Sequence, residues 1–331
     1  MLALLPRRQI VKQSGLTWGQ LAWMGALGGM AADLDVLIRS SSDPLLAILY
    51  HRHFTHSLAF IPIGGLIASL PWLLFRRMRL SWRVVLSATT LGYATHALLD
   101  ACTTYGTQLL WPFTSARVSW HVVSVIDPLF TLPLLAAVLL AVRKRSTSLM
   151  HIGNAWAVAY LLLGLFQRER AASAQHSIAR ERGHLIARAD VFPSFGNNVT
   201  WRAVYESGSL YHIDKIRVPW FGPVCVSPGT SVALAAETHL DDPNEARAHQ
   251  LLRWFSDGWV ASDPEDPSVL GDLRYSFAPD EVTPIWGIRT RAAGHIGPYV
   301  TEWVNNRSRR AIHFSDFYRL VCSDSAVARC Y

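Results

Sequence analysis

His51-Arg52-His53-Phe54-Thr55-His56 opens the stretch that decides the fold, and Ser57-Leu-Ala-Phe-Ile-Pro-Ile-Gly-Gly-Leu-Ile-Ala-Ser-Leu-Pro-Trp-Leu-Leu-Phe75 follows it. The second part carries no charge and approaches the roughly 20 helical residues that cross about 30 Å of hydrocarbon. Arg76, Arg77, Arg79 and Arg83 come next, so a polar, histidine-rich end and a basic end bracket one greasy segment. Working outward, Leu16–Ile38, Val84–Asp100, Val122–Val142 and Leu149–Phe166 have similar character. We therefore expect an α-helical polytopic membrane domain of four to five transmembrane helices over residues 1–167. A helical linker at 168–190 and a small soluble α+β domain at 191–331 should follow.

Charge supports that division. The chain has 331 residues, 50% hydrophobic and 17% charged, with 31 basic and 24 acidic side chains. Residues 1–167 hold 13 Lys/Arg and five acids (Asp33, Asp35, Asp43, Asp100, Asp127), with no Glu before Glu169; the remainder holds 18 Lys/Arg against 19 acids. The excess positive charge thus belongs to the apolar half. It is clumped at Arg7/Arg8/Lys12, at Arg76–Arg83 and at Arg143-Lys144-Arg145. Clumps between spans are the positive-inside pattern, and no basic stripe suggests a nucleic-acid partner. The expected location is the inner (plasma) membrane, multi-pass, with the loops at 39–56 and 101–121 and the C-terminal domain facing outward. Met1–Pro6 is too short for a cleavable signal peptide. The expected partner is the bilayer itself; the oligomeric state is left open.

Beyond residue 190 the period changes. Thr200–Tyr205, Leu210–Val218 and Arg274–Ala278 read as strands, and Pro243–Phe255 as a helix. Cys225, Cys322 and Cys330 allow one disulfide in an oxidising compartment, with the pairing undetermined. No internal repeat is visible.

Most acids and histidines of the first half lie at the same ends of alternating spans: Asp33/Asp35, His51/His53/His56, His96/Asp100 and His121/Asp127. A carboxylate near hydrocarbon costs several kcal/mol unless paired or cation-bound. Imidazole and carboxylate are the donors of zinc, manganese and iron sites. His96 and Asp100, four apart, project from one helical face; the structural alternative is a buried hydrogen bond. Asp33 and Asp35 point to opposite faces of an ideal helix, so one ligand and one supporting partner are expected. Asp127-Pro128 is read equally as a site residue or as an N-cap with Pro at the first helical position. The histidines His176, His184, His212, His239, His249, His295 and His313 show no ligand spacing.

These residues also carry a resemblance. Asp33-Leu34-Asp35, His51-Arg52, Thr55-His56-Ser57, His96-x-x-Leu99-Asp100 and Thr103-Thr104-Tyr105-Gly106-Thr107-Gln108-Leu109-Leu110-x-Pro112-Phe113 resemble the membrane-bound, predicted metal-dependent hydrolase family, some of whose members are called LexA-regulated. Ile126-Asp127-Pro128, Phe192-Pro193, Asn197-Asn198 and Trp201-Arg202-Ala203-Val204 extend it. Family members open with a short polar helix of which Met1–Lys12 resembles the end, so a start further upstream is expected. Ala32 stands where the family commonly has Pro, and His53 and His121 fall outside its pattern.

The combined expectation is a membrane-embedded, metal-dependent hydrolase at the outer membrane interface, with a divalent ion, zinc or manganese first. His51, His56, His96, Asp100 and Asp35 are the expected ligands. Asp127 and Asp33 are the expected catalytic groups, and Arg52 and Arg117 would hold an anionic, lipid-like or phosphoester substrate. The alternatives are a metal or proton transporter and a non-catalytic metal-stabilised scaffold. No His-Glu-x-x-His motif supports a zinc protease.

Overall fold

The computed structural model describes residues 14–40, 43, 45–235, 242–290, 301–305 and 328–331. Met1–Lys12, His239, His295, His313 and Cys322 lie outside the described residues. The chain divides into two compact units: Met1–Ile38, Tyr50–Trp120 and Asp127–Leu162 in one, Arg39–Leu49, His121–Ile126 and Leu163–Tyr331 in the other.

The first unit is helical. α1 (Trp18–Met30) starts at Thr17, whose hydroxyl accepts from the Gln20 N–H while the Gln20 side chain caps Thr17, a capping box. It runs into a 3-10 turn, Ala31–Leu37. α2 (Ile61–Leu73) has Pro near its first turn and Pro71 inside. α3 (Trp82–Ala101), α4 (Pro128–Lys144) and the first part of α5 (Thr147–Glu181) complete the unit. Leu16, Leu21, Met24, Met78, Val85, Ala88, Ala141 and Met150 form its core.

Glycines let the helices meet. A Cβ at Gly92 would lie 2.0 Å from the Gly25 carbonyl oxygen, and one at Gly28 2.5 Å from that of Thr89. Gly64 lies against the Tyr93 ring and Gly65 against Thr90. α1 and α2 therefore both touch α3 nearly backbone to backbone, the close approach that small residues permit between helices.

The expectation of four to five transmembrane helices is overturned. Among the described residues one helix, Thr147–Glu181, is long and apolar enough to cross a membrane. A second candidate arises only if the bent pair Leu46–His56 and Leu58–Leu73 is taken as one span. The apolar stretches are real, but helices do not fill them. At 13 residues each, α1 and α2 rise only about 20 Å. The rest of Leu16–Ile38 goes into the 3-10 turn, and Ser57–Leu58 breaks the helical path into α2. α3 is 20 residues long, yet Thr89, Thr90, Tyr93, Thr95 and His96 make it too polar.

The second unit is built on sheets. A five-stranded sheet has the order β1-β2-β3-β4-β9: β1 (Arg188–Pro193), β2 (Thr200–Ser207), β3 (Leu210–Arg217), β4 (Cys225–Ala233) and β9 (Arg329–Cys330). A four-stranded sheet follows chain order: β5 (Val260–Ser262), β6 (Val269–Asp272), β7 (Trp286–Thr290) and β8 (Thr301–Asn305). All pairings are antiparallel. The first sheet is covered on both faces. Ala171, Ala174 and Ile178 of α5 pack with Trp201, Ala203, Ile216 and Val226; Phe192, Val204 and Ile213 pack with Trp259, Ala261 and Leu273. That double burial is why β2 reads as a continuous buried run.

Residues 168–181 of the expected helical linker are the last turns of α5, and α6 (Pro243–Phe255) forms where expected with Asp242 as N-cap. Arg274–Ala278 is not a strand; the strand lies just before it, at Val269–Asp272. Cys225 and Cys330, facing each other across β4 and β9, are joined by a disulfide.

Candidate metal centre

The donor cluster and its supporting contacts lie within the helical unit. The 3-10 turn sends its two carboxylates in different directions. Asp33 Oδ1 is 3.2 Å from His96 Nε2 and 3.4 Å from His56 Nε2. Asp100 Oδ2 is 3.2 Å from His56 Nε2 and 3.3 Å from His96 Nε2. Asp33, His56, His96 and Asp100 thus present four donor atoms that could hold a metal ion. Donors about 2.0–2.1 Å from a tetrahedral ion lie roughly 3.3–3.4 Å apart, so the observed edges have the right length. His56 Nε2 and Asp100 Oδ2 are buried, and neither makes a hydrogen bond of acceptable geometry despite these short approaches. His56 Nε2 and Asp100 Oδ2 therefore have donor positions that no hydrogen bond uses, whereas His96 Nε2 and Asp33 Oδ1 are hydrogen-bonded to each other at 3.2 Å. The residues fit a small divalent cation.

Asp35 sits behind this group. Its Oδ1 is 2.8 Å from His51 Nδ1, and its Oδ2 accepts from the Arg52 N–H at 2.9 Å and the Thr55 hydroxyl at 2.8 Å. Asp35 Oδ2 is also 3.1 Å from His56 Nδ1. The Thr55 hydroxyl, which donates to Asp35, is hydrogen-bonded to the same Nδ1 at 3.0 Å; carboxylate and hydroxyl together fix the ring and leave Nε2 for an ion, the usual support for a metal-bound histidine. Asp33, Asp35 and His51 form a second, overlapping group of donors. Burial by itself would raise the carboxyls of Asp33 and Asp35. Hydrogen bonding and charge from His56 and His96, for Asp33, and from His51 and His56, for Asp35, hold both well below the usual carboxylate range.

Arg52 adopts φ 61°, a left-handed conformation, and its Nε lies 3.1 Å from Asp100 Oδ2 while Nη1 donates to Thr103 Oγ1 at 3.0 Å. Its guanidinium lies over the Tyr105 ring at 4.7 Å, and that of Arg117 lies 5.3 Å from the same ring. Gln108 N–H to Arg52 O and Leu58 N–H to Leu109 O stitch the loop after α3 to the histidine segment.

The structure therefore gathers Asp33, Asp35, His51, Arg52, His56, His96 and Asp100, with Arg117 beside Tyr105. Asp127 stands elsewhere. Its Oδ1 caps α4 through the N–H groups of Leu129 and Phe130, and its Oδ2 accepts from the Tyr160 hydroxyl at 2.8 Å. His53 packs among Tyr50, Phe54 and Trp111. His121 belongs to the sheet unit, 3.4 Å from Asp190. Sequence reasoning missed Tyr93, whose hydroxyl donates to Thr55 O at 2.6 Å and so props the Asp35 partner segment. Its spacing from His96 and Asp100, i, i+3 and i+7 on one helical stripe, was the available clue.

A helical unit that draws two imidazoles and two carboxylates to one point, in a chain whose other unit is built on two antiparallel sheets, defines a two-unit protein with a candidate metal centre. Residues 1–171 match the family described as YdjM inner membrane protein, and the chain belongs to that family. Its description supports a membrane location and leaves hydrolysis to be argued from the site. No curated protein and no solved structure matches the chain.

Proposed function

We propose that this protein is a metal-dependent hydrolase of the inner membrane, in which His56, His96 and Asp100 hold one divalent cation, zinc or manganese, and Asp33 is the catalytic carboxylate. The observation that supports it most is the convergence of four donors with two buried atoms lacking hydrogen bonds. A cation held there supplies Lewis-acid polarisation and a water acidified towards neutrality. The chain supplies the rest. His56, His96 and Asp100 have side chains at most 20% exposed, whereas that of Asp33 is 46% exposed. Asp33 thus lines the side open to an incoming molecule and can orient a water there by accepting its hydrogen bond. Asp35 orients His56. The second group shares Asp33 with the first, and Asp35 in it already has His51, Arg52 and Thr55 as hydrogen-bond partners, so one ion is assigned.

Arg52 and Arg117, flanking Tyr105, set a positive field beside the carboxylates and favour an anionic substrate. In a membrane protein this points to a phosphoester on a lipid or amphiphile. We place the sheet domain on the periplasmic side: the Arg143-Lys144-Arg145 clump just before α5 favours a cytoplasmic start for that helix, and the Cys225–Cys330 disulfide suits an oxidising compartment.

One observation favours a second reading. Four protein donors can close a tetrahedral site and make the ion purely structural. Elemental analysis of the detergent-purified protein, with a panel of phosphoester and lipid substrates, separates the two. Wild type should carry about one ion per chain, and H96A/D100A should lose both metal and hydrolysis. D33N should keep the metal and lose hydrolysis if Asp33 acts on water. Loss of the metal in D33N, with no turnover in wild type, supports the structural ion. Full metal content in H96A/D100A sinks both.

A further inference from the structure

We infer that the loop Pro219-Trp220-Phe221-Gly222-Pro223, between β3 and β4, is an aromatic edge by which the sheet domain inserts into the lipid interface. The contacts that hold the loop lie within the sheet unit, which includes α5 from Leu163 onward. Phe221 is 90% exposed and Trp220 41% exposed, an unusual outlay of aromatic surface at a strand connection. The loop is held in place. Arg170 donates to the carbonyls of Pro219, at 2.7 Å, and Gly222, at 2.9 Å, and its guanidinium lies over the Phe166 ring at 5.7 Å. Gln167 donates to Val218 O at 2.6 Å, and the Trp220 indole N–H to Asn198 Oδ1 at 3.0 Å.

Those anchors fix the height of the loop along α5. The helix is apolar and exposed at Leu165 and Phe166, then turns polar at Gln167-Arg168-Glu169-Arg170. α5 is the helix with the length and hydropathy of a membrane span, so this change marks the water–lipid boundary, where Trp is enriched and basic side chains meet headgroups. A second segment reaches the same height. Val122 packs against α5 at Gly164, where a Cβ would stand 2.0 Å from the Val122 carbonyl oxygen. Ile126 O accepts from Gly196 N–H at 2.9 Å, beside the Asn197-Asn198 turn that receives Trp220. Val125 and Ile126 are 46% and 65% exposed. Exposed Val125 and Ile126, through Val122 and Gly196, and exposed Trp220 and Phe221, through Arg170 and Asn198, are thus tied to α5 close to Phe166. The occupant that continues a membrane-crossing helix at that level is the bilayer.

Full-length protein in proteoliposomes tests this through a fluorophore on F221C, in a background with Cys102 and Cys322 replaced by Ala and the disulfide intact. Exposed Ser209, in the β2–β3 turn, serves as the control through S209C. The 221 label should be quenched several-fold more by shallow doxyl lipid than the 209 label, and be several-fold less sensitive to aqueous iodide. Equal iodide quenching at both positions overturns the inference. Protection at 221 from both quenchers also overturns it and points to a second copy of the chain on this face. Since both labels occupy exposed positions, neither substitution disturbs the core.

Discussion

Asp35 shows how much of the site is support. It touches His51, Arg52, Thr55 and His56 with two oxygens, and none of those bonds needs the cation. D35N removes the charge that favours the His56 Nε2 lone pair. Metal affinity should drop about 10- to 100-fold, the usual penalty for losing such a partner, read by competition with a chromogenic chelator. In the sheet unit, Asp190 is 2.9 Å from Arg168 and 3.4 Å from His121. Burial would raise its carboxyl, but hydrogen bonding and charge from His121 and the charge of Arg168 lower it. A depressed folded value means stability present above the unfolded carboxylate range near about 3.9 and lost as pH falls through the folded value. D190N should cost about 1–3 kcal/mol at neutral pH and flatten the acid limb of the unfolding curve. The emission of buried Trp201 and Trp259 reports it.

Helix contacts set the distances that the donors need. His96 lies one turn beyond Gly92, where α3 meets α1 at Gly25. A valine side chain at 92 cannot fit against a backbone carbonyl 2.0 Å from its Cβ. G92V should therefore push α1 and α3 apart, destabilise the helical unit by about 1–3 kcal/mol or more, and reduce metal content although no ligand has changed. Equal metal content in folded G92V protein would show that the crossing does not set the site. The 3-10 turn after α1 was not foreseen. Nothing in Ala31–Leu37 encodes it beyond two carboxylates drawn to partners on different segments.

Over the full chain, the disulfide and the charge pattern make one statement about topology. An alkaline phosphatase fused after Tyr331 should be active in intact cells, and a fluorescent protein that matures only in the cytoplasm should be dark there. The reverse result places the sheet domain inside and leaves Cys225 and Cys330 reduced. Replacing both cysteines by Ser opens a loop of sequence separation 105. That should lower the stability of the sheet domain by about 2–5 kcal/mol and leave metal content unchanged.

Local residue chemistry was enough to mark Asp33, Asp35, His51, His56 and the His96/Asp100 pair as candidates, and to place β2, β3 and α6, whereas the two compact units interleave along the chain in a way no local signal shows. Periodicity, charge clumps and i, i+4 spacing are short-range properties that can be read along the chain. The number of membrane-crossing helices was misread because apolar composition does not reveal where a helix breaks, as it does at Ala31 and again before Ile61. Whether Asp33 or Asp35 faces the four-donor point, that Asp127 caps a helix and bonds Tyr160, and which cysteines pair all depend on folding. Each is settled by segments tens of residues apart meeting in space, and those meetings follow from packing energies summed over the whole unit rather than from any one stretch.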